Sequence, residues 1–281
     1  MPPAMDDRLH DPAALEDVQA QRISTADGDA PPLDETVVVV REAAFTIDVQ
    51  RVDSYTLLCT PADLDALTAG FLLSEGIIDS MAEVKAMEPC LDDPWTVRVR
   101  LNGDGPPRIH DEGRNLLIVS SCGLCGAENL EAKLESLPAV GDTLRIRPGV
   151  LRSATNAVRE RQPLFAASGG THAAGIFDAR GEILALAEDT GRHNALDKAI
   201  GRYLLEGCSP AGCGVVLSGR VSLEMVGKCA RAGIELICAV SAPTSLAIEV
   251  AEGCQITLCA FVRDTRATVF THPRRVIGEP G

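Results

Sequence analysis

Gly214-Val215-Val216-Leu217-Ser218 is a short apolar run, and two more follow it at residues 235–240 and 255–262, with helical patterns at 221–232 and 244–252 between them. Short apolar runs separated by amphipathic helices build a parallel sheet, because each helix is the crossover that returns the chain to the same end. The three runs therefore predict an α/β layer structure from about residue 150 to 281.

Strands that run the same way end at the same edge. Ser218-Gly219-Arg220, Ser241-Ala242-Pro243-Thr244-Ser245 and Val262-Arg263-Asp264-Thr265-Arg266 then emerge together, and open α/β sheets bind ligands at that edge. Two of these loops enter helix N-termini, which offer free N–H donors to phosphate, while Arg220, Arg263 and Arg266 supply charge. Asp264 suits the paired N–H donors of a guanine edge. A solvated surface is the plainer reading of any single arginine. Neither a glycine-rich dinucleotide fingerprint nor a phosphate loop with Lys-Ser or Lys-Thr occurs, so an ordinary NAD or ATP enzyme is not indicated.

Upstream, residues 34–149 read as a smaller β-rich part. Runs at 36–41, 44–52 and 54–60 look like a meander, a helix opens at Pro61 with Leu64, Leu67, Phe71 and Leu72 on one face, and 95–101 alternates again. Residues 1–33 hold seven acidic residues against two arginines without apolar periodicity, and predict a disordered acidic tail. They lack the apolar core of a signal peptide, and no run approaches the roughly 18 residues of a membrane span. A cytoplasmic protein is expected, with no membrane partner. The net charge of -14 disfavours nucleic acid.

Among ten cysteines, Cys59, Cys229, Cys238 and Cys259 sit in apolar periodic segments and read as small hydrophobes. Ser120-Ser121-Cys122-Gly123-Leu124-Cys125-Gly126 is different. It follows an apolar run and precedes a helical pattern, so both sulfurs fall at a helix N-terminus, where the dipole favours thiolate. A redox dithiol, half a zinc site and a persulfide carrier compete for this pair. Zinc lacks a second Cys-x-x-Cys or His pair to complete four ligands, and no metal site is expected. A deaminase needs a Glu after its ligand His, whereas His172 precedes Ala173-Ala174. A thioredoxin-like protein would leave the arginine-bearing edge without a purpose.

Two polar clusters remain, Ser168-Gly169-Gly170-Thr171-His172 and Glu188-Asp189-Thr190-Gly191-Arg192-His193-Asn194. His172 and His193 are candidate site residues, although a lone histidine is more often structural and Asp189 or Thr190 can serve as a helix cap. These clusters, continued as Ala195-Leu196-Asp197-Lys198, together with Ser218-Gly219-Arg220-Val221-Ser222, Thr271-His272-Pro273 and the Cys122 pair, closely resemble the FdhD family of formate dehydrogenase accessory sulfurtransferases. The resemblance runs from about residue 36 to 273. Thr190 replaces an expected Val, and Leu223 and Gly227 differ from the family's pattern, none of them a proposed ligand group.

The resemblance implies a sulfurtransferase that takes persulfide sulfur from a cysteine desulfurase and delivers it to bis-molybdopterin guanine dinucleotide for the formate dehydrogenase catalytic subunit. By motif position, Cys122 looks like the persulfide carrier with Cys125 as partner. Phe261, Val262, Arg263, Asp264, Thr265 and Arg266 match the cofactor segment, and Arg220, His172 and His193 join them. It further implies a cytidine-deaminase-like three-layer C-terminal domain, α+β overall, in a homodimer. A cofactor chaperone without sulfur transfer is the rival expectation.

Overall fold

A computed structural model of the chain describes residues 12–25, 31–103, 116–118 and 136–278. Strand β1 (Leu15–Arg22) pairs antiparallel with β2 (Leu33–Val40), from Leu15 opposite Val40 to Arg22 opposite Leu33. The expected tail thus contains a strand. Its order comes from its partner, since Val37 to Val40 form a β-branched run whose backbone groups need a ladder. Ala14, just before β1, is buried against Ala62 and Leu164. Composition read over a window that excludes β2 misses both.

Strands β3 (Ala43–Val49) and β4 (Asp53–Cys59) form a hairpin, followed by helix α1 (Leu64–Ser74), β5 (Val84–Cys90), β6 (Asp93–Leu101) and β7 (Leu116–Ile118). They make a five-stranded sheet of order β5-β6-β3-β4-β7. The expected meander shrinks to this hairpin, because β2 leaves to pair with β1. Helix α1 begins at Leu64, after Asp63 in a left-handed conformation, not at Pro61. Every residue from Ala66 to Ser74 is buried, so the single apolar face read from the sequence is in fact a helix covered all round.

The C-terminal part contains α2 (Pro148–Arg159), α3 (Pro163–Ser168), β8 (His172–Phe177), β9 (Ile183–Asp189), α4 (Arg192–Leu205), β10 (Gly214–Leu217), α5 (Leu223–Arg231), β11 (Leu236–Ala239), α6 (Ser245–Gly253), β12 (Thr257–Arg263) and β13 (Arg266–Val269). Its six strands take the order β13-β12-β11-β10-β8-β9. As the alternation predicts, β10, β11 and β12 are parallel, with Val215 beside Ile237 and Ile237 beside Leu258. Helices α4, α5 and α6 cover one face through residues such as Leu196, Val226 and Val250. Helix α2 covers the other through Leu151, Ala154 and Val158. The result is three layers in a mixed α/β fold. Among the described residues, no helix is long and apolar enough to cross a membrane.

Helix α1 joins the two sheets. It lies against Phe45, Ile47 and Val97 of the first sheet and crosses α4 at Gly70 and Gly201. A Cβ on Gly70 would lie 1.8 Å from the Asp197 carbonyl oxygen, and one on Gly201 1.8 Å from that of Ala66. Only glycine permits this approach. One hydrophobic cluster therefore runs from the first sheet through α1 and α4 to Val215, Ile237 and Leu258.

Candidate functional site

The parallel strands end at a cavity of about 270 Å³, floored by Val158, Val216, Val240 and Val262 and rimmed by Arg152, Arg159, Arg263 and Asp264. A bulge in β12 shapes it. Cys259 and Val262 share one face of the sheet although they are three residues apart, because Phe261 (φ 54°) is the extra residue where the β12–β13 register shifts. The bulge turns Val262 into the cavity and leaves Phe261 outside it, 41% exposed and tilted against Phe270. Arg263 Nη1 donates to the carbonyls of Val240 at 2.7 Å and Val262 at 2.8 Å, so part of this guanidinium fastens β11 to β12. Thr265 on the β12–β13 turn and Arg266 at the start of β13 are exposed and lie outside the cavity.

A second hollow adjoins the first through Gln162, Phe165 and Ser218, and adds Thr171, His172 and Thr190. Ser218 Oγ accepts from the Ala173 N–H at 2.9 Å and lies 3.3 Å from His172 Nδ1. Burial, then the charge of Arg192, hold His172 below the ordinary histidine pKa, which favours the neutral ring. Gly219 packs against the His172 ring and the Arg192 stem. Arg220 is exposed and lines neither hollow, but its charge reaches Arg192.

The Glu188 to Lys198 motif divides into structural and unassigned groups. Asp189 takes Lys198 Nζ at 2.6 Å, the Thr60 N–H at 3.0 Å, the Gly191 N–H at 2.8 Å and Asn194 Nδ2 at 3.1 Å. Lys198 in turn donates to Thr60 O. Neither Asp189 nor Thr190 is the cap of α4, a place held by Gly191 without a side-chain bond. Asp189 instead bolts the β9–α4 turn to the end of β4. Glu188 accepts from the N–H groups of Leu164 and Phe165 and from the Thr171 hydroxyl, which fixes Phe165 on the cavity wall. His193 lines neither hollow. Its Nε2 is buried without a partner among the described residues, and burial, with Arg192 and Lys228, pushes its pKa down to about 4.

Thr271 and His272 are structural: Thr271 Oγ1 donates to Ile256 O and accepts from Leu258 N–H, while the His272 ring meets Glu252 O at 2.8 Å. Cys59 and Cys238 are buried, with thiols pushed up to about 12; they pack as hydrophobes. Cys122 and Cys125 lie outside the described residues. The sequence reading missed Arg152, Asn156, Arg159 and Phe165. The first three recur at i, i+4 and i+7 on α2, opposite the buried Leu151, Ala154 and Val158, a polar stripe whose helical spacing was the available signal.

The FdhD/NarQ family model matches residues 40–277. The chain belongs to the FdhD/NarQ family. Among its relatives, the sulfur carrier protein FdhD of Bordetella bronchiseptica is 37% identical over 273 residues, covering 96% of this chain and 99% of the relative. The protein of the same name from Saccharolobus solfataricus is 40% identical over 225 residues, covering 80% and 84%. A crystal structure described as a formate dehydrogenase accessory protein, from Desulfotalea psychrophila, superposes with a TM-score of 0.72 at 25% identity over 93% of this chain and 99% of that one. The FdhD signature is thus read in two ways by the fold: Asp189, Asn194, Lys198 and Thr271 hold the scaffold, whereas Ser218, His172 and the segment 262–264 line the cleft.

Proposed function

We propose that this protein is a sulfur carrier that serves formate dehydrogenase by passing persulfide sulfur to a molybdenum cofactor, bis-molybdopterin guanine dinucleotide. The observation that carries this reading is the family match over residues 40–277, with relatives named sulfur carrier proteins along almost the whole chain. The cleft fits such a substrate. Its valine floor takes a flat ring, Asp264 matches the paired donors of guanine, and arginines at the rim favour phosphate.

In the proposed reaction the Cys122 thiolate attacks the terminal sulfur of a cysteine desulfurase persulfide, and the desulfurase thiolate leaves. The sulfur now on Cys122 is at the sulfane level. When the Cys125 thiolate attacks Cys122 Sγ, a disulfide forms and sulfide leaves with the electron pair of the broken bond. Sulfide is the species a metal centre takes up, and a cellular dithiol restores the pair. This cytoplasmic carrier acts on the free cofactor as a homodimer, before insertion into the formate dehydrogenase catalytic subunit.

Incubation with a desulfurase and cysteine should add sulfur to the intact protein, read by mass spectrometry and released by cyanide. Cys122→Ala should lose that sulfur and formate dehydrogenase maturation together. Retention of both in the variant would refute the assignment, and cofactor binding with no sulfur loading of the parent would favour a chaperone.

A further inference from the structure

Strands β1 and β2 form a ribbon that stands apart from the two larger sheets. Its base is held: Ala14 packs with Ala62 and Leu164, the Arg41 N–H donates to Ala14 O at 2.8 Å, and Val40 lies against Gly170, which lines the second hollow. Beyond that base it is bare. Every residue of β1 from Glu16 to Arg22 is exposed, and the strand runs about 27 Å at the usual rise per residue. Residues paired across the ribbon share a face, so Val18 and Ala20 lie with Leu33, Val37 and Val39 on one side, while Gln19 and Gln21 donate to Thr36 and Asp34 on the other. A two-stranded ribbon by itself is marginal in water. Its regular pairing therefore points to a further strand.

The outer edge of β1 is where that strand can add. Among the described residues this edge has no partner, and it lacks the lysine, proline and bulge that normally blunt an edge. Alternate residues point their N–H and C=O groups to opposite neighbours, so in an antiparallel pair of identical strands only residues of like parity can face each other. Two registers then keep all but one residue of β1 paired. One sets Glu16 against Ala20 and Val18 against Val18. The other sets Glu16 against Arg22, Asp17 against Gln21, Val18 against Ala20 and Gln19 against Gln19. It forms its opposite-charge pair twice, because a two-fold contact repeats itself. The same operation on β2 sets Asp34 and Glu35 against valines in either register. Within the chain, Glu16 meets Arg41 at 3.7 Å and Arg22 meets Glu35, exposed pairs that hold neither side chain firmly.

Resting on the homodimer reading above, we propose that two copies of this chain join edge to edge through β1, antiparallel about a two-fold axis at Gln19, into a four-stranded sheet of order β2-β1-β1-β2. The added ladder satisfies the outer N–H and C=O groups of β1, and Val18 gains the partner's Ala20 beside it. Four strands with one apolar face reach the size at which a small sheet holds its shape. Glu16 against Arg22 fixes the register.

Sedimentation equilibrium of the full chain tests this with Glu16→Arg, Arg22→Glu and the double exchange, all at exposed positions. Each single variant sets like charges opposite each other twice and should dimerise about tenfold more weakly than the parent, whereas the double variant restores both pairs and should return to within about threefold. Gln19→Cys gives an independent reading. Facing residues of an antiparallel pair lie within disulfide reach, so diamide, which takes up the two thiol hydrogens, should link two copies covalently beyond the level of the parent on a non-reducing gel. A dimer that neither single variant weakens and that Gln19→Cys does not link would overturn the β1 contact and leave the homodimer reading standing. A parent that is monomeric at micromolar concentration would overturn both.

Discussion

His193 shows how one buried atom ties function to pH. Its ring is surrounded by Arg192 beside it on α4, Lys228 and Glu224 on α5, and Glu75 after α1, and the burial and cations together push its pKa from the ordinary 6.5 to about 4. The folded protein keeps the ring neutral where the unfolded chain protonates it. Stability tied to this group is therefore intact above pH 6.5 and lost as pH falls toward 4. At pH 5 the loss should be on the order of 2 kcal/mol. Urea unfolding of the parent and of His193→Gln at pH 7 and pH 5 checks it, since every other group is common to both; equal losses in the two would exclude the histidine as the cause. The sequence marked His193 as polar and clustered, yet carried no sign that its Nε2 is buried away from both hollows, because depth depends on what packs against each face of α4.

At the scale of elements, the α1–α4 crossing is the joint between the two sheets. Gly70→Ala would place a methyl inside the van der Waals radius of a backbone oxygen, and a backbone cannot step aside as a flexible side chain can. The helices must part, at a cost of about 3 kcal/mol or more. For a chain of this size that corresponds to a drop of roughly 10 °C in melting temperature, readable by differential scanning calorimetry. A change below 2 °C would mean that the crossing is not tight. Both glycines are visible in the sequence inside helical patterns, where each weakens the helix. Only their mutual contact explains them. The parallel strands β10 to β12 were legible because each is buried on both faces and reads as a continuous apolar run. The bulge at Phe261 was not, since a bulge is a relation between two strands and leaves no mark in one.

For the whole molecule, the shared core predicts one unfolding transition. Trp95, the only tryptophan of the chain, reports the first sheet from β6, and far-ultraviolet circular dichroism reports mainly the helices that cover the second. Their urea midpoints should coincide, as in a two-state unit. Separated midpoints would mean that the parts before and after residue 149 fold independently, contrary to a cluster that contains Phe45, Leu72, Leu196 and Ile237 together.

By itself the sequence determined the α/β class, the shared carboxyl edge of three strands and the family, since apolar runs, helix periods and a long ordered set of motifs are local properties of the chain. Tertiary structure alone decided which motif residues face the cleft. Asp189, Asn194 and Lys198 turn inward to bind the Leu58 to Thr60 segment, while Arg192, one position from Gly191 in the same motif, forms no ion pair among the described residues. That difference rests on what lies opposite each side chain across more than a hundred residues of sequence, and electrostatic pairing is settled only when folding brings those partners within a few ångströms.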